Sequence, residues 1–153
     1  MSKKTIIDFR EMKRKGKKIA GLVVYDWHNA RFAEGAEMDW LLVGDSVGMS
    51  VLGLPTTVPV TMEEMMIFSK AVRRGAPDTF IIGDMPFGSY QRSPEWAVIN
   101  AERFYKEASV DAIKLEGGVR VVSQIKAIVD AGMNVMGHIG LTPQSSGQMG
   151  GFK

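Results

Sequence analysis

Short apolar runs that each end on a polar side chain recur along this chain: Leu41-Leu42-Val43-Gly44-Asp45-Ser46, Ile81-Ile82-Gly83-Asp84, Ala112-Ile113-Lys114-Leu115-Glu116 and Val135-Met136-Gly137-His138. Runs of this length, separated by segments with helical periodicity, read as buried parallel strands of a βα repeat. The strands are predicted at 40–44, 79–83, 111–115 and 134–137, and Gly21-Leu22-Val23-Val24-Tyr25-Asp26 supplies an earlier one with its own polar exit.

The intervening segments carry helix signals. A first helix is predicted near 7–15, and a second over 27–37 with Ala30, Phe32, Ala33 and Ala36 available for burial. Thr61-Met62-Glu63-Glu64 forms a capping box, in which hydroxyl and carboxylate each satisfy a free amide; that helix runs to about Arg74, where Gly75 and Pro77 stop it. Ser93 as N-cap and Pro94 at the first helical position open another, which buries Ala97, Val98, Ala101, Phe104, Tyr105 and Ala108 at a period of ~3.6. A last helix spans 119–131 and is closed by Gly132. Residues 47–60, with Gly48, Gly53, Pro55 and Pro59, are long for a plain βα connection and read as a substrate-covering loop.

Alternating strands and helices leave a closed (β/α)₈ barrel or an open doubly wound sheet. Polar residues at four successive strand ends favour the barrel, because an open sheet concentrates its ligand at one switch point. A barrel of eight units takes ~250 residues, so the 153 present, ending at Lys153, hold about five of them. An open five-strand arrangement exposes an apolar edge.

Composition narrows the function classes. The net charge is only +2, and the basic cluster Lys13-Arg14-Lys15 with Lys17-Lys18 has no interleaved aromatics, so it reads as a solvated helix end and no nucleic-acid partner is expected. The absence of cysteine excludes disulfides and thiolate metal sites, leaving oxygen or imidazole ligands for any metal. No apolar run approaches the ~20 residues of a membrane span and no signal core follows the N-terminal charges, so a cytoplasmic protein without a membrane partner is expected. The methionines at 62, 65 and 66 read as core filling.

In βα folds the ligand sits at the carboxyl ends of the strands, where three carboxylates, a lysine, a histidine and a serine would converge. Asp45, Asp84 and Glu116 are hard oxygen ligands suited to a Mg²⁺ ion that keeps water or substrate in its other positions. Such an ion can chelate an α-keto acid and polarise its carbonyl. The competing reading is that these acids cap the helices that follow them. Lys114 and Glu116, two apart, point to one side of their strand, where the cation meets either a substrate carboxylate or Glu116 and Asp84. His138 lies between small residues that let a ligand approach, and the Ser46 hydroxyl either bonds a carboxylate or caps its turn. His28 is assigned no role, no Gly-x-Ser-x-Gly elbow supports a serine hydrolase, and Gly117-Gly118 and Gly150-Gly151 are weak anion-site signals.

The strings Val43-Gly44-Asp45-Ser46-Val47-Gly48-Met49, Ala71-Val72-Arg73-Arg74-Gly75-Ala76-Pro77, Asp84-Met85-Pro86-Phe87, Lys114-Leu115-Glu116-Gly117-Gly118 and Gly137-His138-Ile139-Gly140-Leu141-Thr142-Pro143-Gln144-Ser145, in that order, closely resemble the ketopantoate hydroxymethyltransferase family across essentially the whole chain. The resemblance implies a (β/α)₈ TIM barrel of the phosphoenolpyruvate mutase-like group, assembled as a homodecamer. It also implies a one-carbon transferase of pantothenate and coenzyme A biosynthesis, which moves a hydroxymethyl group from methylenetetrahydrofolate to α-ketoisovalerate with Mg²⁺. Positions matching Asp45, Asp84 and Glu116 would surround the metal, and Asp45, Ser46, Asp84, Lys114 and His138 would hold the keto acid. Ile67-Phe68 stands where members often carry tyrosine and histidine, and Ser145-Ser146-Gly147 where an asparagine commonly follows Ser-Val. The family's general base is a glutamate on a sixth strand, which falls beyond Lys153. No catalytic residue is therefore assignable here, and the chain is expected to be a single barrel domain, 1–153, truncated before that strand. The alternative function is a non-catalytic module that keeps the keto-acid and metal pocket without the base.

Overall fold

The computed structural model describes residues 3–151. Both limits of the expected domain, Met1 and the expected truncation point at Lys153, lie outside the described residues, so the fold bears on neither. Five strands, β1 (Gly21–Val23), β2 (Trp40–Val43), β3 (Phe80–Asp84), β4 (Ala112–Glu116) and β5 (Val135–His138), form one parallel sheet in sequential order. The helices are α1 (Ile6–Arg14), α2 (Trp27–Gly35), the short α3 (Val47–Ser50), α4 (Met62–Gly75), α5 (Pro94–Ala108) and α6 (Val122–Asp130). Sequential order means every crossover turns the same way, which places the connecting helices on one face of the sheet. That is the layout of a partial (β/α) barrel; a doubly wound sheet reverses its strand order and has helices on both faces.

Strand alternation separates two apolar layers. Leu41, Val43, Ile81, Ile113 and Leu115 face the helices and are buried against Ala30, Met65, Val72, Ala101, Phe104 and Ile128. Phe80, Ile82 and Ala112 occupy the other face with Trp40, Leu42, Met136 and, from α1, Phe9, whose ring meets Phe80 edge-on with centroids 5.0 Å apart. Register continues that second face upward, pairing Ile82 with Ala112, Asp84 with Lys114, and Glu116 with His138. The polar ends of β3, β4 and β5 therefore share one face above an apolar floor.

Helix starts follow their capping chemistry. Thr61 and Glu64 make the expected reciprocal box, with Thr61 N donating to Glu64 Oε2 at 2.7 Å and Glu64 N to Thr61 Oγ1 at 3.2 Å. An equivalent box between Thr5 and Asp8 starts α1, and Ser93 with Pro94 starts α5 as predicted. The basic cluster does lie on an exposed helix end, where Arg14 and Lys15 pair with Glu11.

Several expectations are corrected. The first strand stops at Val23, well before Asp26, because the Asp26 side chain caps α2 by accepting from Asn29 N at 2.9 Å. Neither edge is a buried strand: β1 is exposed throughout and β5 has no fully buried residue, since each pairs on one side only, whereas β3 and β4 are buried along their whole length. Phe32 and Ala36 of the second helix face solvent. The segment 47–60 begins with α3, and Val47, Gly48, Thr57 and Val60 are buried, so it is partly a packed element. Residues 118–121 form a 3₁₀ turn ahead of α6.

Candidate active site

Asp45 and Ser46 follow β2 after Gly44, and Asp84, Glu116 and His138 are the last residues of β3, β4 and β5. Gly117 comes straight after Glu116 at φ 137°, a conformation an L side chain rarely adopts, and a Cβ there would stand 2.9 Å from Val121. This turn lets the chain leave the strand without moving the Glu116 carboxylate.

The side chains close a ring. Asp45 N donates to Asp84 Oδ2 at 3.1 Å. Asp84 Oδ1 lies 2.7 Å from Lys114 Nζ, Lys114 Nζ is 3.4 Å from His138 Nδ1, and His138 Nδ1 is 3.2 Å from Glu116 Oε2. Glu116 Oε1 accepts from Gln144 N at 2.8 Å, and Gln144 Nε2 donates to Asp45 Oδ2 at 2.8 Å. Asp45, Asp84, Lys114, Glu116 and Gln144 are all buried. Ser46 stands beside the ring with its hydroxyl 2.9 Å from the Tyr25 hydroxyl, and it makes no side-chain cap to α3. None of the three carboxylates accepts a hydrogen bond from the start of the helix that follows it. Helix capping therefore does not explain them, and Lys114 does meet Asp84.

Two atoms of the ring stand out among the described residues. Asp84 Oδ1 and Glu116 Oε2 are fully buried, and the polar groups nearest them are Lys114 Nζ at 2.7 Å from the first and His138 Nδ1 at 3.2 Å from the second. With one ammonium among three buried carboxyl groups, the ring keeps acceptor capacity that a proton or a further cation would fill. Burial pushes the Asp84 carboxyl up to about 7 against the pull of Lys114, with Asp45 adding to the rise. Glu116 is raised as well, again chiefly by burial. These donors fit a hard divalent ion. Among the described residues no group of three or more acidic or histidine side chains is arranged to hold a metal ion by itself, so an ion here would take one or two of these carboxylates directly and fill its other positions with water or substrate.

Gln144 and Tyr90 were missed by sequence reasoning. Tyr90, on the β3–α5 connection, has its hydroxyl 2.7 Å from Gln144 Oε1 and 2.9 Å from Glu116 O, so one proton serves two acceptors. Burial raises that phenol well above its ordinary range. Gln144 lay inside a recognised string, but only the folded loop shows that it reaches back to Asp45. His28, by contrast, is exposed at the start of α2, edge-on to Trp27 and outside the ring.

The same fold is found in solved enzyme structures, among them one described as a member of the PEP mutase/isocitrate lyase superfamily. A phosphoenolpyruvate phosphomutase from Streptomyces platensis subsp. rosaceus superposes with a TM-score of 0.69 at 15% identity, over 88% of this chain and 53% of that one. A 2,3-dimethylmalate lyase gives 0.61 at 20% identity, over 86% and 51%. In sequence, residues 3–153 match the family profile described as ketopantoate hydroxymethyltransferase. The 3-methyl-2-oxobutanoate hydroxymethyltransferase of Alkaliphilus metalliredigens is 63% identical over 99% of this chain and 54% of its own length. That of Heliobacterium modesticaldum is 51% identical over 100% and 56%. The chain belongs to the ketopantoate hydroxymethyltransferase family, and it spans about half the length of these relatives.

Proposed function

We propose that this chain carries the metal and keto-acid pocket of a hydroxymethyltransferase that makes ketopantoate from α-ketoisovalerate, methylenetetrahydrofolate and water. The observation that carries the reading is the cluster of three buried carboxyl groups, Asp45, Asp84 and Glu116, with Lys114 and His138 set against Asp84 Oδ1 and Glu116 Oε2 at the strand ends. The reaction classes named for the relatives, and the Mg²⁺ and oxalate bound by a phosphonopyruvate hydrolase of the same fold (TM-score 0.68, 14% identity, 84% of this chain and 50% of that one), point the same way.

Asp45, Asp84 and Glu116 would hold Mg²⁺, which when bound supplies a Lewis acid that makes the carbon next to the keto group acidic. Lys114, released from its contact with Asp84, meets the substrate carboxylate or the developing enolate oxygen. Ser46 donates to the carboxylate, and His138 orients the keto group from beyond Lys114. In the net reaction, both bonds from the methylene carbon to folate nitrogens break as that carbon gains one bond to the enolate carbon and one to the oxygen of water; the two nitrogens take up the C3 proton and one proton of the water. His138 is engaged by both Lys114 and Glu116, so the pocket binds and polarises, and removal of the C3 proton falls to the sixth-strand glutamate that the family resemblance implies.

Proton NMR in D₂O tests this. α-Ketoisovalerate should bind only with Mg²⁺ present, and Lys114→Met should weaken that binding by about 1.5–3 kcal/mol, the usual worth of a hydrogen bond to a charged group. Substrate binding indifferent to Mg²⁺ and to Lys114 overturns the reading. Loss of the substrate methine signal supports a competent transferase, and Mg²⁺-dependent binding without it supports the binding module.

A further inference from the structure

The Gln144 side chain has every hydrogen-bonding position filled. Its Nε2 donates to Asp45 Oδ2 at 2.8 Å and to Met85 O at 2.9 Å; its Oε1 accepts from the Tyr90 hydroxyl at 2.7 Å and from Gln91 Nε2 at 3.0 Å. Its backbone N donates to Glu116 Oε1 at 2.8 Å. Only one orientation of the amide is allowed. Reversed, it would turn an oxygen onto the Asp45 carboxylate and the Met85 carbonyl, both acceptors, and an NH₂ onto the Gln91 NH₂. Gln91 is itself held, its Oε1 accepting from Gly88 N at 2.7 Å.

One residue thus engages Asp45 through Oδ2 and Glu116 through Oε1, on strands that are not neighbours in the sheet. On Glu116 the oxygen it does not touch, Oε2, is the one left without a hydrogen bond. We propose that Gln144 is a positioning residue for the metal site, using its fixed amide and its backbone N–H to occupy one oxygen each of Asp45 and Glu116 so that the remaining oxygens are presented to the ion. This rests on the reading of the carboxylate ring as a metal site. Groups that orient ligating carboxylates commonly cost ~10–100-fold in metal affinity when removed. Gln144 acts on the ion through the two carboxylates it holds, with Tyr90, Gln91 and Met85 fixing its amide.

The purified protein is titrated with Mn²⁺, read by the paramagnetic resonance of free and bound ion, with no turnover required. Gln144→Met keeps the side-chain volume and removes the amide; it should weaken Mn²⁺ binding by about tenfold or more and change the spectrum of the ion still bound. Tyr90→Phe removes only the hydroxyl that pins the amide and should act in the same direction by a smaller factor, which keeps the test open if the first variant does not fold. Asp84→Asn is the control for the site itself. If wild type binds Mn²⁺, Asp84→Asn loses it, and both other variants keep wild-type affinity and spectrum, the positioning role is overturned while the metal reading stands. A fall in the melting temperature of the metal-free variants with no change in affinity is the pattern of a merely structural residue and also overturns it. Failure of wild type to bind, or binding undiminished in Asp84→Asn, removes the metal reading and the positioning role together.

Discussion

At the scale of single residues, Asp84 couples the site to pH. Its carboxyl is held at about 7 in the folded protein against an ordinary value of 3.8, so between those values the folded state carries a proton the unfolded chain has lost. Stability of the metal-free protein from this group is full below the lower value, falls as pH rises through the window, and is level above about 7. A divalent ion needs the ionised form, so its affinity moves the opposite way, rising with pH and releasing a proton on binding. Calorimetry should find Mg²⁺ bound about tenfold more weakly at pH 6 than at pH 8, the ratio expected when one proton competes at a pKa near 7. A flat profile would mean that Asp84 stays outside the ion's coordination.

At the scale of elements, two contacts decide how the strands meet the helices. Gly83 stands on the helix face of β3, and a Cβ there would lie 2.5 Å from the Phe104 ring of α5. Gly83→Ala should cost about 1–3 kcal/mol of stability by overpacking, measured by urea denaturation. Arg73 ties three element ends together. Its Nη1 donates to the carbonyls of Ala76, Pro77 and Thr79, its Nε to Ser109 O at 2.9 Å, and its Nη2 meets Asp111, whose carboxylate also accepts from Ile81 N. With the Arg73 side chain only 14% exposed, Arg73→Ala should destabilise by about 1–3 kcal/mol by leaving the carbonyls it serves without their donor, while Asp111 keeps Lys3 and the Ile81 N–H; Arg73→Lys should recover little because an ammonium cannot span the same fan of acceptors. Strand positions and the polar strand ends were legible in the sequence because period and spacing are local signals, and Asp45, Asp84, Lys114, Glu116 and His138 do meet. Asp26 as a cap, the exposure of Leu22 and Val23, the hub at Arg73 and the return of Gln144 to Asp45 were not, because each depends on what lies across space from the residue. A polar residue after an apolar run looks the same whether it enters a pocket or caps a helix.

At the scale of the whole molecule, β3 and β4 have neighbours on both sides and buried faces, whereas β1 and β5 each have one neighbour. Amide hydrogen exchange should therefore be slowest along 80–84 and 112–116 and fastest among the strands at 21–23. Equal protection in all five would contradict the layered burial. Bound Mg²⁺ should slow exchange at the ends of β2, β3 and β4 together, because the residues proposed to hold it come from all three.

The pairing of Asp84 with Lys114 and of Glu116 with His138 has a meaning for folding as well as for chemistry. Sliding any one strand by a single residue turns its side chains to the opposite face. For β3 or β4 that would drive a carboxylate or an ammonium beneath the helices, into the layer of Leu41, Met65 and Phe104, while lifting Ile81 or Ile113 into the polar ring. The charges of the ring thus act as a spelling check on assembly: the sheet can be written in one register, and every misprint is rejected by the same groups proposed to hold the substrate.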